Sequence, residues 1–190
     1  MDIVQEARKY ALDEIEKYKN GPPGLVLFGI AEKKALELAE KLKADKTIVH
    51  VGVCLMDLKL AEAINQNKLK EHVKMSVEAS KEFLKKFNLD KETEEKIINC
   101  VEAHHGNVPY KYIEAEICAN ADCYKFLHPK GIFEYFITMG RRNSNISKSL
   151  DMVEMKLEEK HNTLSLEICK NELEQYYQTF KRLFKEAREL

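Results

Sequence analysis

The stretch that most constrains the fold is Thr47 to Ala63, which reads TIVHVGVCLMDLKLAEA. Between Ile48 and Met56 the only polar side chain is that of His50. A helix that is apolar on every side is buried among other elements, and this run falls short of the roughly 20 residues that span a bilayer. It therefore predicts a central helix of an all-α core, with His50 near one end and Asp57 just past the other. Their spacing is close to two helical turns, which puts both on nearly one face. Ionisable groups are seldom buried unless paired, hydrogen-bonded or metal-bound. Asp57 must therefore meet a partner from elsewhere in the chain.

The flanking sequence supplies more helices and no strand. Apolar spacing predicts a first helix over 2–19, closed by Asn20-Gly21-Pro22-Pro23-Gly24, and a second over Leu25 to Leu42. A helix over Leu69 to Phe87 carries His72 at the edge of its inner stripe. Asp90 reads as the N-cap of the next helix, which ends in His104 and His105 before the terminator Gly106. Ile113 to Leu127 is again apolar nearly all round, with Asp122 among small neighbours. A turn at Pro129-Lys130-Gly131, a short helix to Met139 and a polar break over 140–145 precede two long helices, Ile146 to Lys160 and Leu164 to Leu190. The last has a strong apolar stripe, which packs on the body or on a second subunit. A homodimer is one expectation from it. The whole chain reads as one all-α domain over 1–190.

Charge and cysteine usage narrow the class. With 31 basic and 32 acidic residues, bulk charge favours neither nucleic acid nor an anionic membrane. The count of 5 Cys is odd, with no CxxC pair. They read as reduced, mostly buried thiols of a cytoplasmic protein. The start MDIVQEARKY has no signal-peptide pattern. Cys118 and Cys123 sit at helical spacing and read as core. Gly21-Pro22-Pro23-Gly24 lacks the Gly-Lys-Ser/Thr end of a phosphate loop.

The buried-looking ionisable groups are His50, Asp57, His72, His104, His105 and Asp122. Imidazoles and carboxylates converging from several helices suit a divalent-metal site. Their order resembles the HD superfamily of metal-dependent phosphohydrolases. The matching stretches are the central helix with Asp57, EHVKMSVEA around His72, CVEAHHG with His104 and His105, and ICANADCYKFL with Asp122. They cover about 25–127, as an HD-like core, with C-terminal helices over about 132–190. The stretch DMVEMKLEEKHNTLSLEICKNELEQYY resembles the tails of small HD hydrolases more loosely.

The resemblance implies an HD-like helical bundle that hydrolyses a nucleotide or another small phosphate ester, using a divalent ion (Mn, Fe, Ni or Zn). It implies Asp57, His72, His104 and His105 as metal ligands and Asp122 as the group that assists water. Lys59 and Lys125 are candidates for substrate phosphate. The family pattern also has an early His and a His-Asp doublet. Here the early His falls near Leu27 or Phe28, and the doublet reads Met56-Asp57. One metal position has thus lost both imidazoles, while the second keeps its ligand types. The alternative is a degenerate HD fold that binds or scaffolds without a catalytic metal. His50, about 10 Å along the axis from Asp57, reads as a hydrogen-bonded core histidine.

Overall fold

The computed structural model describes residues 2–18, 22–143 and 145–189. The fold is all-α. Ten α-helices occur among the described residues: α1 (Ile3–Lys17), α2 (Gly24–Leu42), α3 (Lys46–Leu55), α4 (Leu60–Asn65), α5 (His72–Leu84), α6 (Lys91–Ala103), α7 (Ile113–Leu127), α8 (Pro129–Asn143), α9 (Ile146–Thr163) and α10 (Glu167–Glu186). A single 3-10 turn, Leu69–Glu71, leads into α5. No helix of the described residues is long and apolar enough to cross a membrane.

The predicted central run is divided. Asp45 caps α3 by accepting from the amides of Thr47 and Ile48 at 2.8 and 3.1 Å. The helix stops at Leu55, and 56–59 form a turn before α4. Asp57 therefore lies in a turn, not on the face of His50. That turn is tied to α5, since the Lys59 amide donates to the Ser76 hydroxyl at 3.1 Å. Two further boundaries differ. Pro129 starts α8 instead of breaking it, as proline can at the first helical position. The same helix then runs through Gly140 to Asn143. The break expected at Asn20 and Gly21 lies outside the described residues, as does Ser144.

α7 is the hub. It packs against α2, α3, α6, α8, α9 and α10, and most of its residues are buried. This explains its lack of a polar face. α3 and α6 cross at Gly52, where an added Cβ would come within 2.5 Å of the Cys100 Cβ. Gly52→Ala is expected to cost about 1–3 kcal/mol by overpacking, read as a lower midpoint in urea with an unchanged slope. The apolar stripe of α10 buries Cys169, Leu173, Phe180 and Phe184 against its own chain, chiefly α9 and α7. All five cysteines are buried free thiols.

Candidate functional site: a histidine cluster beside an ion-pair core

Four elements bring the expected residues together. Asp57 comes from the turn after α3, His72 from the start of α5, and His104 and His105 from the end of α6. Asp122 comes from the middle of α7. Two buried lysines join them: Lys125, one turn after Asp122 on α7, and Lys160 near the end of α9. His50 stands apart and pairs with Glu32 at 2.9 Å.

The three imidazoles form one cluster. One ring nitrogen from each lies within 4.8 Å of the others, close enough to hold a metal ion. His72 Nδ1 lies 2.7 Å from the Leu69 carbonyl and His104 Nδ1 lies 2.7 Å from the Val101 carbonyl. Carbonyls only accept, so each ring carries a proton on Nδ1. His105 is held the other way. Its Nδ1 faces the Lys160 ammonium at 2.8 Å and must accept. Its proton therefore sits on Nε2, which donates to His72 Nε2 at 2.9 Å. His104 Nε2 has no hydrogen-bond partner among the described residues. It lies 3.5 Å from Asp57 Oδ1. Burial pushes His72 below the usual histidine value. Burial, then the neighbouring His104 and Lys160, push His105 down to about 2.

The carboxylates are already neutralised. The Lys125 ammonium touches Asp57 and Asp122 at once. Lys160 Nζ lies 2.6 Å from the other oxygen of Asp122. Neither Asp122 oxygen meets hydrogen-bond angles, so its pairing is by charge. Burial works to raise both carboxyl pKa values, but Lys125, with His104 at Asp57 and Lys160 at Asp122, holds both well below the usual carboxylate range. Burial works equally to strip the lysines of protons. The two carboxylates win, so both ammonium groups are held above the ordinary lysine value.

The core thus holds two negative and two positive groups in balance. A divalent ion bound between Asp57 and Asp122 would need Lys125 to move or lose its proton, and the residues present do not fit a metal there. The space beside them is small. Phe28 and Met56, at the positions where the resemblance expects imidazoles, line a cavity of about 20 Å³ with Asp57, Lys125 and Cys54. That is room for roughly one water. The imidazole side fits better. His72 and His104 each have Nδ1 fixed as the donor to a backbone carbonyl, a feature of metal-binding histidines, while His105 keeps its proton on the inward nitrogen as long as Lys160 is charged.

The two expected phosphate lysines take internal roles. Lys59 pairs with Glu14 and Glu62 at 3.2 and 3.1 Å. Lys125 is 2% exposed. Lys160 escaped the sequence reading. The signal was its position on the inner stripe of α9 with Val153, Leu157 and Leu164, where a lysine needs a buried partner.

A larger cleft, of about 430 Å³, opens on the outer side of α2. Leu25, Ile30, Lys33, Lys130, Tyr124 and His128 are among its walls. Lys34 Nζ lies there, 4.4 Å above the Tyr124 ring, and also pairs with Glu172 at 2.8 Å.

No protein-family model and no curated protein matches the chain. Solved structures do. The fold is similar to Bacillus subtilis YpgQ in complex with ADP, with TM-score 0.68, 15% identity, and coverage of 98% of this chain and 94% of that one. A second structure of Bacillus subtilis YpgQ superposes with TM-score 0.67, 15% identity and the same coverage. At that identity the likeness extends to the fold: this chain has the all-α architecture of YpgQ along nearly its whole length.

Proposed function

We propose that this chain works by binding, on an HD-like fold whose metal centre has become an internal ion-pair core, and that its ligand is a nucleotide or another small phosphate compound. The observation that carries the first half is the Lys125 ammonium between Asp57 and Asp122. In an HD-type hydrolase that space belongs to the ion that activates water. Here neither carboxylate is free to hold an ion or to orient a water. The ligand class is supported by the YpgQ structure, which contains ADP. It is also supported by the cleft on α2, whose size falls within the range of small-molecule sites. Lys33 and Lys130 offer charge to phosphate, Lys34 being paired with Glu37 and Glu172, and Tyr124 and His128 offer ring surface.

Calorimetric titration with ADP and with pyrophosphate tests this. Saturable binding is expected, weakened about tenfold or more in Lys33→Ala/Lys130→Ala. Heats indistinguishable from dilution at millimolar ligand would refute the ligand class.

A metal-dependent phosphohydrolase is the second reading, favoured by the unpartnered His104 Nε2. In it, His72, His104 and Asp57 hold one Mn, Fe, Ni or Zn ion. That ion would supply an activated water, and His105 could join only if Lys160 turned wholly to Asp122. Elemental analysis of untagged protein separates the two. One ion per chain that is lost in His72→Ala/His104→Ala, together with phosphatase activity, supports the hydrolase. The binding reading expects no ion that depends on those two histidines.

A further inference from the structure

A second cluster lies between α3 and α2. His50 and Cys54 are one turn apart on that helix, and Glu32 approaches from α2. One ligand atom from each lies within 4.8 Å of the others. We propose that Glu32, His50 and Cys54 form a binding site for a zinc-class divalent ion, with thiolate, imidazole and carboxylate as its three protein ligands.

The chemistry of the donors carries the idea. Sulfur, nitrogen and oxygen together suit a borderline-soft ion such as Zn(II), and three ligands leave a position for water. The Cys54 thiol is 3% exposed and makes no hydrogen bond among the described residues. Cys118 and Cys123, equally buried, donate to the carbonyls of Val49 and Ala119 at 3.6 and 3.2 Å. Cys54 also borders the cavity of about 20 Å³. His50 Nε2 is already 2.9 Å from Glu32 Oε1. Drawing the sulfur in to tetrahedral distances takes a side-chain shift of about 1 Å.

The charge balance favours this cluster over the histidine cluster. Glu32 now pairs with Arg8, whose Nε lies 2.7 Å from Oε1 and whose side chain is 47% exposed. On binding, the Cys54 thiol gives its proton to solvent, the sulfur bonds the metal, and Arg8 swings into water. One thiolate and one carboxylate then balance the divalent charge. A divalent ion among His72, His104 and His105 gains no such balance, because the nearby carboxylates are already spent on lysines. Arg8 acts as a removable competitor for Glu32.

The inference is independent of the proposed function. It is tested by titrating metal-free, reduced protein with Co(II), which gives a near-ultraviolet charge-transfer band when bound by thiolate, followed by displacement with Zn(II). The expected result is a band saturating at one ion per chain and retained in His72→Ala/His104→Ala. It should be abolished in Cys54→Ser and weakened roughly tenfold or more in His50→Gln and Glu32→Gln. Arg8→Ala should tighten binding several-fold. Absence of the band at millimolar Co(II), or its survival in Cys54→Ser, would overturn the site. Should Cys54→Ser fail to fold by circular dichroism, the two glutamine variants decide, since unchanged affinity in both also overturns it.

Discussion

Replacement of Lys125 by methionine is expected to lower stability by about 3–5 kcal/mol, the usual result of removing one partner from a buried charge pair. For a chain of this size that is a drop of about 10 °C in Tm. Methionine fills the space of the lysine stem, so little of the loss comes from packing. The loss comes from Asp57 and Asp122, which would keep only His104 beside the first and Lys160 beside the second. The variant has a second signature. Two carboxylates freed of Lys125 offer a site that the wild type lacks, so Mn(II) should raise the melting temperature of Lys125→Met and leave the wild type unmoved. Binding to the folded state alone must stabilise it. Adding Asp57→Asn and Asp122→Asn should recover much of the stability and erase the metal effect. A Lys125→Met protein that melts within about 2 °C of wild type would show that the ion-pair core contributes little.

The second large effect is expected on acidification. His72 and His105 are held below the ordinary histidine value, His105 at about 2. The unfolded chain therefore takes up protons that the folded chain refuses once the pH falls below about 6.5. Stability should decline from there, by on the order of 3 kcal/mol before pH 4.5. Below about 4 the carboxylates add to the loss. Asp57 and Asp122 are held low in the fold, so their stabilisation is present above the ordinary carboxylate value and is lost as the pH drops towards their folded values. The lysines act with the opposite sign. Their contribution is complete below about 10.4 and is lost as the pH rises through their raised folded values. Urea unfolding at half-unit pH steps reads this profile. His105→Gln, which can still accept from Lys160 and donate to His72, should shallow the limb between pH 6.5 and 4.5. An unchanged limb would mean that the imidazole cluster is not its source.

Much of this architecture was legible in the residues. The all-round apolar character of 113–127 marked α7 as buried, and the cap at Asp90 follows the rule that a short side chain accepts from the first turn. Gly106 ends the segment after α6 at a φ of +73°, as a glycine in that place can. The meeting of Asp57, His72, His104, His105 and Asp122 was also readable, because ionisable groups on inward faces must converge on something. The chemistry of their meeting was harder to read. Periodicity shows which face a residue occupies, and charge neutralisation depends on which long side chain reaches in from another helix. Lys125 looked like a solvated lysine in reach of substrate until its position one turn from Asp122 was combined with the distant Asp57. Lys160 is 38 positions from Asp122 in the chain, and nothing local to either residue announces the other. The split between α3 and α4 was hidden for a related reason. Met56, Asp57 and Leu58 are compatible with a helix, and the turn is fixed by its tertiary tie to Ser76.

Lys160 also has a consequence for the order in which a ribosome delivers this protein. The segments that carry Asp57, His72, His105 and Asp122 all leave the exit tunnel before α9 does. Until then one ammonium must serve two carboxylates, and His105 lacks the donor that orients it. The nascent chain can collapse around α7 early, but its centre remains electrically incomplete until α9 has been made. Domains generally fold as units during synthesis. Here α9 brings the last charge of the unit, so that helix closes the core and is not an appendage to it.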